Sequence, residues 1–397
     1  MSEPQRPQSQ RPDPQRQGSF RPLRVIDKVR ESRIITSFHL RPVDPATWRP
    51  FEAGQFLVLR VPPQQPGQRP VPRSYSVSSS PAREGHYRIT IKREAAPSPD
   101  VPQGIGSCWL HDRINIGDLI EAAGPRGEFH LDGQSPRPVV LLSGGVGLTP
   151  LVSMLHALKS APHRPVHFIH ACDNGEVHAL RDEVLYVAGS RPGVQVHFCY
   201  RFPTDADRAS RWHHSEGVIT ADLLARLLPV ADLDYYMCGP PPFMKAVYGL
   251  LRQAGVPKAR IAYEFFGPAT VLEEDVERSI ATVVPRVVLP PLVEPPTRVL
   301  PSAQERPSPA PVAPITVTFQ RAGRSATWSV EQHSLLDFAE AQGFSPDFSC
   351  RSGVCGTCKT RLIAGAVEYF TEPLDPVEPG HALICCARPK GPVILDL

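Results

Sequence analysis

Short apolar runs punctuated by turn residues fill the first third of the chain, at 25–29, 33–40, 55–61, 87–92 and 119–123. Strands at that spacing, with no long helical pattern between them, predict an antiparallel β-barrel over residues 21–135. From 136 to 272 the texture changes. Apolar runs at 139–142, 166–170, 194–199 and 235–237 alternate with helical stretches starting near Thr149, Val177, Thr220 and Pro241. That alternation predicts βαβ units, hence an α/β domain on a parallel sheet. Residues 315–397 open as a hairpin (315–320 and 326–330), followed by a short helix from Ser334 to Gln342 with Ser334 as its cap. This third unit reads as a small α+β domain. Ten prolines between Pro285 and Pro314 leave no room for a core element, so 273–314 reads as a semi-rigid, polyproline-like spacer rising about 3.1 Å per residue. Residues 1–20, rich in Pro, Gln and Arg, read as a disordered tail.

Length and composition narrow this picture. A chain of 397 residues accommodates two or three domains. A net charge of +3, evenly spread, argues against a nucleic-acid partner. No apolar run is long enough to predict a membrane span. The N-terminus has no apolar segment of the secretory kind, and Pro4, Pro7, Pro12 and Pro14 prevent an amphipathic transit helix. Of the nine cysteines, Cys108, Cys172, Cys199 and Cys238 are scattered singly, which does not suggest a disulfide framework. A cytoplasmic monomer is expected.

The other cysteines carry chemistry. Cys350, Cys355 and Cys358 are spaced C-x4-C-x2-C, and Cys385 follows after 26 residues. That arrangement of four thiolates suits a [2Fe–2S] cluster. The small residues Ser352, Gly353, Gly356 and Thr357 let a tight loop curl so that N–H groups face the sulfurs. Structural zinc also uses four cysteines, but usually as two separated C-x2-C knuckles, whereas here one pair is joined by a distant single Cys. Cys385 and Cys386 both qualify as fourth ligand. The segment resembles the ferredoxin pattern in which the last ligand stands four residues before a proline, and that resemblance selects Cys385.

Three upstream motifs are weaker alone. At 139–150 a buried strand meets a helix through Gly144, Gly145 and Gly147, a turn that lets backbone approach a pyrophosphate, with Thr149 able to cap and Pro150 suited to the first helical turn. It is not the usual G-x-G-x-x-G fingerprint, and a plain strand–helix connection reads the same way. At 235–244 another strand ends in a Gly/Pro turn, and the two turns would face one crevice at the carboxyl ends of the strands. Cys238 then either lies beside a nicotinamide or simply packs a strand end. In Arg73-Ser74-Tyr75-Ser76, Arg73 and Tyr75 share one face of a strand and the serines the other. A cation for a pyrophosphate, a ring to stack on a flavin and hydroxyls for its edge are thereby grouped, although an ordinary polar strand reads alike.

In order along the chain, Arg73-x-Tyr75-Ser76, Gly106-Ser107, 144–150, Cys238-Gly239-Pro240 and 263–268 resemble the ferredoxin–NADP reductase superfamily. The likeness is nearest to the reductase half of flavohaemoglobins and covers about residues 20–272, including the stretches 170–180 and 205–208. The C-terminal domain separately resembles plant-type ferredoxins, which implies a β-grasp fold. The resemblance implies that Phe56, Arg73, Ser74, Tyr75 and Ser76 contact FAD and that Gly106 and Ser107 meet its pyrophosphate. It implies that Gly145, Val146, Gly147, Leu148, Thr149 and Pro150, with Cys238 and Gly239, hold NAD(P)H. Glu264, Phe265, Phe266, Gly267 and Pro268 would then lie by the flavin. Glu264, Cys238 and Ser76 are the candidate catalytic residues, with Glu264 tuning the flavin or relaying protons. The competing reading of Glu264 is a solvated carboxylate at a domain edge. Asp173 and Glu176, where the adenine ribose is expected, favour NADH over NADPH, with Arg201 as the counter-argument. His163, His213 and His214 read as solvated.

The implied activity is a reductase taking electrons from NAD(P)H through FAD to the cluster and on to a protein acceptor: an oxygenase, a hydroxylase, or a separate globin. A non-catalytic redox sensor is the alternative from another class. Flavohaemoglobins carry a globin ahead of the reductase. Only about 20 residues precede it here, so a haem pocket in this chain is not expected.

Overall fold

The computed structural model describes residues 20–63, 65, 67, 70–96, 103–266, 315–329, 332–348, 351, 353, 354 and 356–397. The N-terminal tail, the proline-rich spacer, Gly267, Pro268, Cys350 and Cys355 lie outside the described residues.

β1 (Arg21–Arg30), β2 (Ile35–Pro42), β3 (Phe56–Val61), β4 (Val71–Ser76), β5 (Tyr87–Lys92) and β6 (Leu119–Arg126) form an antiparallel sheet in the order β4-β3-β6-β1-β2-β5. The alternation in sequence is what the sheet buries: Leu23 and Val25 of β1 point into the core, while Arg24 between them is exposed. A single bridge between Val77 and Ile89 joins the two edges and closes the barrel. β2 begins at Ile35, later than the pattern indicates, and β6 runs on to Arg126. Helix α1 (Ile105–Arg113) was not foreseen. It buries Gly106, Ser107 and Cys108 beside one large residue, Leu110, so it has no apolar stripe to announce it.

β7 (Val139–Gly144), β8 (Val166–Cys172), β9 (Val194–Tyr200), β10 (Ser215–Glu216), β11 (Asp234–Gly239) and β12 (Ile261–Phe265) form a parallel sheet ordered β10-β9-β8-β7-β11-β12. Its central strand β7 opens with four consecutive apolar residues, Val139 to Leu142, because both faces are covered. Val139 and Leu141 join the core under α2 (Leu148–Ala157) and α3 (Arg181–Gly189), and Val140 and Leu142 join the opposite core under α5 (Ala221–Leu227) and α6 (Pro241–Gln253). Between these pairs lies α4 (Asp205–Ser210), short, polar and absent from the sequence reading, closed by a Thr204–Asp207 capping box. The expected cap at Thr149 is corrected. The helix opens at Leu148 after Gly147, and Thr149 donates its hydroxyl to the Val146 carbonyl at 3.1 Å.

The barrel and the α/β domain share one core, since Ile35, Ala53 and Phe129 pack with the α2 face. Arg88 of β5 holds the Glu183 carboxylate at 2.5 and 2.8 Å, and His156 lies 2.6 Å from it. Burial opposes the Glu183 charge, but the hydrogen bonds from His156 and Arg88 outweigh it and lower its pKa.

In the third domain, β13 (Thr316–Phe319), β14 (Arg324–Thr327), β15 (Lys359–Ala364), β17 (His381–Leu383) and β19 (Val393–Leu395) make a mixed sheet in the order β14-β13-β19-β15-β17. β16 (Val367–Tyr369) and β18 (Ala387–Pro389) pair beside it. Helix α7 (Leu335–Ala341) packs Leu336 and Phe338 on this core, and Ser334 caps it by accepting from the Asp337 N–H, as its sequence indicates. The second hairpin strand starts at Arg324 instead of residue 326. The expected fold class holds in all three units.

Candidate functional site

The strand order of the parallel sheet reverses between β7 and β11, and ligands in such sheets sit outside the carboxyl ends of the strands at that point. Both glycine turns meet there. A Cβ on Gly147 would stand 2.3 Å from the Cys238 carbonyl oxygen, and one on Gly144 would stand 2.7 Å from the Phe243 ring. A Cβ on Gly239 would meet the same ring at 2.7 Å. Phe243 thus wedges between the turns, a role that only their juxtaposition reveals. Gly145 has a φ of 53° and open space above it. That leaves the backbone bare where a dinucleotide would approach. Val146, Leu148, Thr149, Pro150 and Gly239 complete this lip.

Cys238 is fully buried and stands in register with Ser143 of β7 on one side and Glu264 of β12 on the other. Burial, then the nearby Glu264 charge, raise its thiol pKa well above the ordinary range, so it remains a neutral thiol. Glu264 has the Ser76 hydroxyl of the barrel as a polar neighbour that lowers its pKa, while its Oε2 is buried with no hydrogen-bond partner. Burial pushes its pKa up to about 8, with Ser76 opposing. The three candidate catalytic residues, two from the α/β sheet and one from the barrel, therefore converge. A solvated carboxylate at a domain edge does not describe Glu264. Phe265 and Phe266, half-buried, continue from it.

The raised pKa has a testable consequence. The native state retains a proton on Glu264 that the unfolded chain loses near its ordinary value of 4.5. Its stabilisation is complete below that value and lost as pH rises toward about 8. Relative to Glu264→Gln, the parent protein should lose several degrees of Tm between about pH 5 and 8, at about 2–4 °C per kcal/mol. Parallel Tm curves for the two proteins would assign the dependence elsewhere.

On β4, Arg73 and Tyr75 do share a face, as alternation requires, and both press on α1. A Cβ on Gly106 would meet the Tyr75 hydroxyl at 2.5 Å and the Arg73 side chain at 3.0 Å. Arg73 is exposed beside the start of α1, where Gly104 provides no side-chain cap and Ser107 is buried. An open helix N-terminus, a glycine with no room for a side chain and an exposed guanidinium suit a pyrophosphate. Together with the orphaned Glu264 oxygen at the domain junction, these residues fit FAD.

Register places Phe56 opposite Ser76 and Val58 opposite Ser74, so these four share the other face of β3 and β4. Phe56 and Val58 form a small apolar cluster with Ala123 and with Val354 and Leu374 of the third domain. Arg126 donates to the Glu372 carbonyl at 2.5 Å, and Thr371 to the Glu128 carboxylate at 3.3 Å. Val354 lies in the cysteine loop itself. The loop thus docks on the barrel face that bears Ser76, a contact the sequence reading did not contain.

Cys358 and Cys385 are buried in one core, and the Ile384 N–H donates to the Cys358 carbonyl at 3.4 Å, joining their segments. Arg351, Gly353 and Gly356 all have positive φ, the backbone conformation of a tightly curled loop. Arg351 is tied to Asp337 at 2.9 Å and Glu340 at 2.5 Å on α7. The Cys386 thiol faces Gly353, where a Cβ would stand 2.8 Å from its sulfur, and lies 3.5 Å from the Leu383 carbonyl. The buried thiols and curled loop fit a [2Fe–2S] cluster.

At the expected ribose pocket, Arg201 pairs with Asp173 at 2.7 Å, and Glu176 lies 3.6 Å from Arg33 of the barrel. Of the histidines read as solvated, His163 and His214 are exposed, the latter also accepting from the Phe198 N–H at 3.0 Å. His213 instead stacks on Tyr200 of β9. No helix among the described residues is long and apolar enough to cross a membrane.

Residues 22–131 match the oxidoreductase FAD-binding domain family, 141–248 the oxidoreductase NAD-binding domain family, and 317–390 the 2Fe-2S iron-sulfur cluster binding domain family. The flavohemoprotein of Halalkalibacterium halodurans is 41% identical over 255 residues, 64% of this chain and 61% of that protein. The chain therefore spans about three-fifths of the length of that relative. The FAD/NAD-binding domain of nitric oxide dioxygenase from Vibrio cholerae is 33% identical with a TM-score of 0.55, covering 63% of this chain and 100% of that one. Phthalate dioxygenase reductase is 25% identical with a TM-score of 0.52, and covers 97% of this chain and 99% of its own.

Proposed function

The chain belongs to the ferredoxin–NADP reductase superfamily, with a [2Fe–2S] domain fused in series, and from that premise we propose that it passes electrons from NADH through FAD to the cluster and on to an oxygenase or hydroxylase component. The observation that carries this reading is the docking of the cysteine loop, through Val354, on the barrel face shared by Ser76. Likeness over nearly the full length to phthalate dioxygenase reductase supports an oxygenase as the customer. A bound flavin supplies the conversion between a two-electron donor and a one-electron carrier.

The chain's own residues do the rest. Gly106 and the open end of α1, with Arg73, receive the flavin pyrophosphate, and Tyr75 lies beside them. Gly145 to Pro150 hold the dinucleotide, and Cys238 packs as a small neutral thiol beneath the crevice. Glu264, its pKa raised to about 8, would hold a proton beside the flavin through neutral pH, with Ser76 as its neighbour. Cys385 serves as the fourth cluster ligand, with Cys350, Cys355 and Cys358. Cys386 is the packed neighbour, its thiol turned toward Gly353 and the Leu383 carbonyl.

Val354→Asp tests the docking. A carboxylate in the apolar contact should slow NADH-dependent cytochrome c reduction about tenfold, about 1.4 kcal/mol, with ferricyanide reduction by the flavin within twofold. An unchanged cytochrome c rate would remove the docked contact from the electron path.

The preference for NADH rests on Asp173, a carboxylate that would repel a 2′-phosphate and that holds the Arg201 guanidinium in an ion pair at 2.7 Å. Asp173→Ala should raise kcat/KM for NADPH about tenfold, about 1.4 kcal/mol, with little change for NADH. A parent enzyme already preferring NADPH tenfold would overturn the assignment.

A further inference from the structure

The carboxyl end of β8 and the turn after it bring together three ligand-bearing side chains that the electron path does not use. Ligand atoms of His170, Cys172 and His178 all lie within 4.8 Å of one another. Both histidines are more than nine-tenths buried, with 1% and 5% of their surface exposed. Each has its Nδ1 engaged, His170 with the Ser143 hydroxyl at 2.8 Å and His178 with the Tyr200 hydroxyl at 2.8 Å. Each leaves its Nε2 buried with no hydrogen-bond partner. Two unsatisfied ring nitrogens side by side, their rings 4.5 Å apart, carry a desolvation cost that nothing in the fold offsets.

We propose that His170, Cys172 and His178 form a site for a divalent, borderline-soft transition-metal ion such as Zn²⁺, bound through two imidazole Nε2 atoms and one thiolate, with the fourth position open to water. The donor set suits zinc, and the ligand separations need to contract by about 1 Å to reach a tetrahedral site with bonds of about 2.0–2.3 Å. The hydroxyls on both Nδ1 atoms match the outer hydrogen bonds that orient metal-bound histidines. Cys172 is the partly exposed member, its thiol 3.5 Å from the Asn174 carbonyl, and provides the access route. On binding, the S–H bond of Cys172 breaks, its sulfur pair bonds the metal, and the proton leaves to solvent. Ser143 ties the site to the nucleotide crevice, being paired with Cys238 and preceding Gly144.

Equilibrium dialysis of the full-length, FAD- and cluster-loaded protein against Zn²⁺, followed by elemental analysis and zinc-edge X-ray absorption, tests the assignment. One tight equivalent is expected, with iron content unchanged. The spectrum should show one sulfur at about 2.3 Å and two imidazole nitrogens at about 2.0 Å. Cys172→Ala and His178→Gln should each weaken binding at least tenfold. No retained zinc, an all-sulfur shell accompanied by iron loss, or unchanged affinity in Cys172→Ala would overturn it. Should His178→Gln fail to fold, the partly exposed Cys172 and the sulfur count decide.

Discussion

Cys358→Ser is expected to abolish NADH-dependent cytochrome c reduction, by at least about 100-fold or 2.7 kcal/mol, while ferricyanide reduction stays within twofold. The split follows from placement. Cys358 is buried in the core of the third domain with Cys385 and Cys386, remote in sequence from the Arg73, Gly106 and Glu264 groups that would hold the flavin. Serine is a poorer iron ligand than a thiolate, so the outlet fails while the inlet survives. Absorbance should show flavin retained and cluster lost. Cytochrome c reduction that persisted at the parent rate in a cluster-free protein would mean that the flavin feeds acceptors directly.

Gly147→Ala should be nearly as damaging at the other end of the path. The added Cβ would lie 2.3 Å from the Cys238 carbonyl oxygen, 2.5 Å from its carbon and 2.6 Å from the Gly239 nitrogen. All three are backbone atoms of the adjacent turn, and no rotamer change relieves them. The two turns must separate, which deforms the crevice meant for NADH. Stopped-flow flavin reduction should fall about 100-fold, about 2.7 kcal/mol, with FAD and iron contents at parent levels. A variant with normal flavin reduction would place the dinucleotide elsewhere. Loss of FAD as well would show that the damage had spread to the barrel.

The two variants divide the molecule as its sequence does, yet the sites differ in how far the sequence reveals them. Strand alternation in the barrel and the continuous apolar run from Val139 to Leu142 arise from burial on one face or two, so fold class follows from local pattern. The cysteine spacing is legible because one loop must supply three ligands to one small cluster. Helices without a stripe escape this logic: α1 buries small residues and α4 is polar. The Thr149 cap failed because a hydroxyl near a helix start can turn back to a preceding carbonyl instead.

Local chemistry along the chain thus determined three domains, their strand patterns, the glycine turns and the cysteine loop. Those features depend on neighbours close in sequence, where spacing fixes geometry. Tertiary structure decided what spacing cannot. It brought Ser76 to Glu264 across a domain junction and left one Glu264 oxygen dry. It set Val354 on Phe56 and Val58, and it turned the His170 and His178 rings together around Cys172. Each of these contacts depends on how independently formed layers pack, and burial, which sets the charge state of Glu264 and of both histidines, exists only once they have packed.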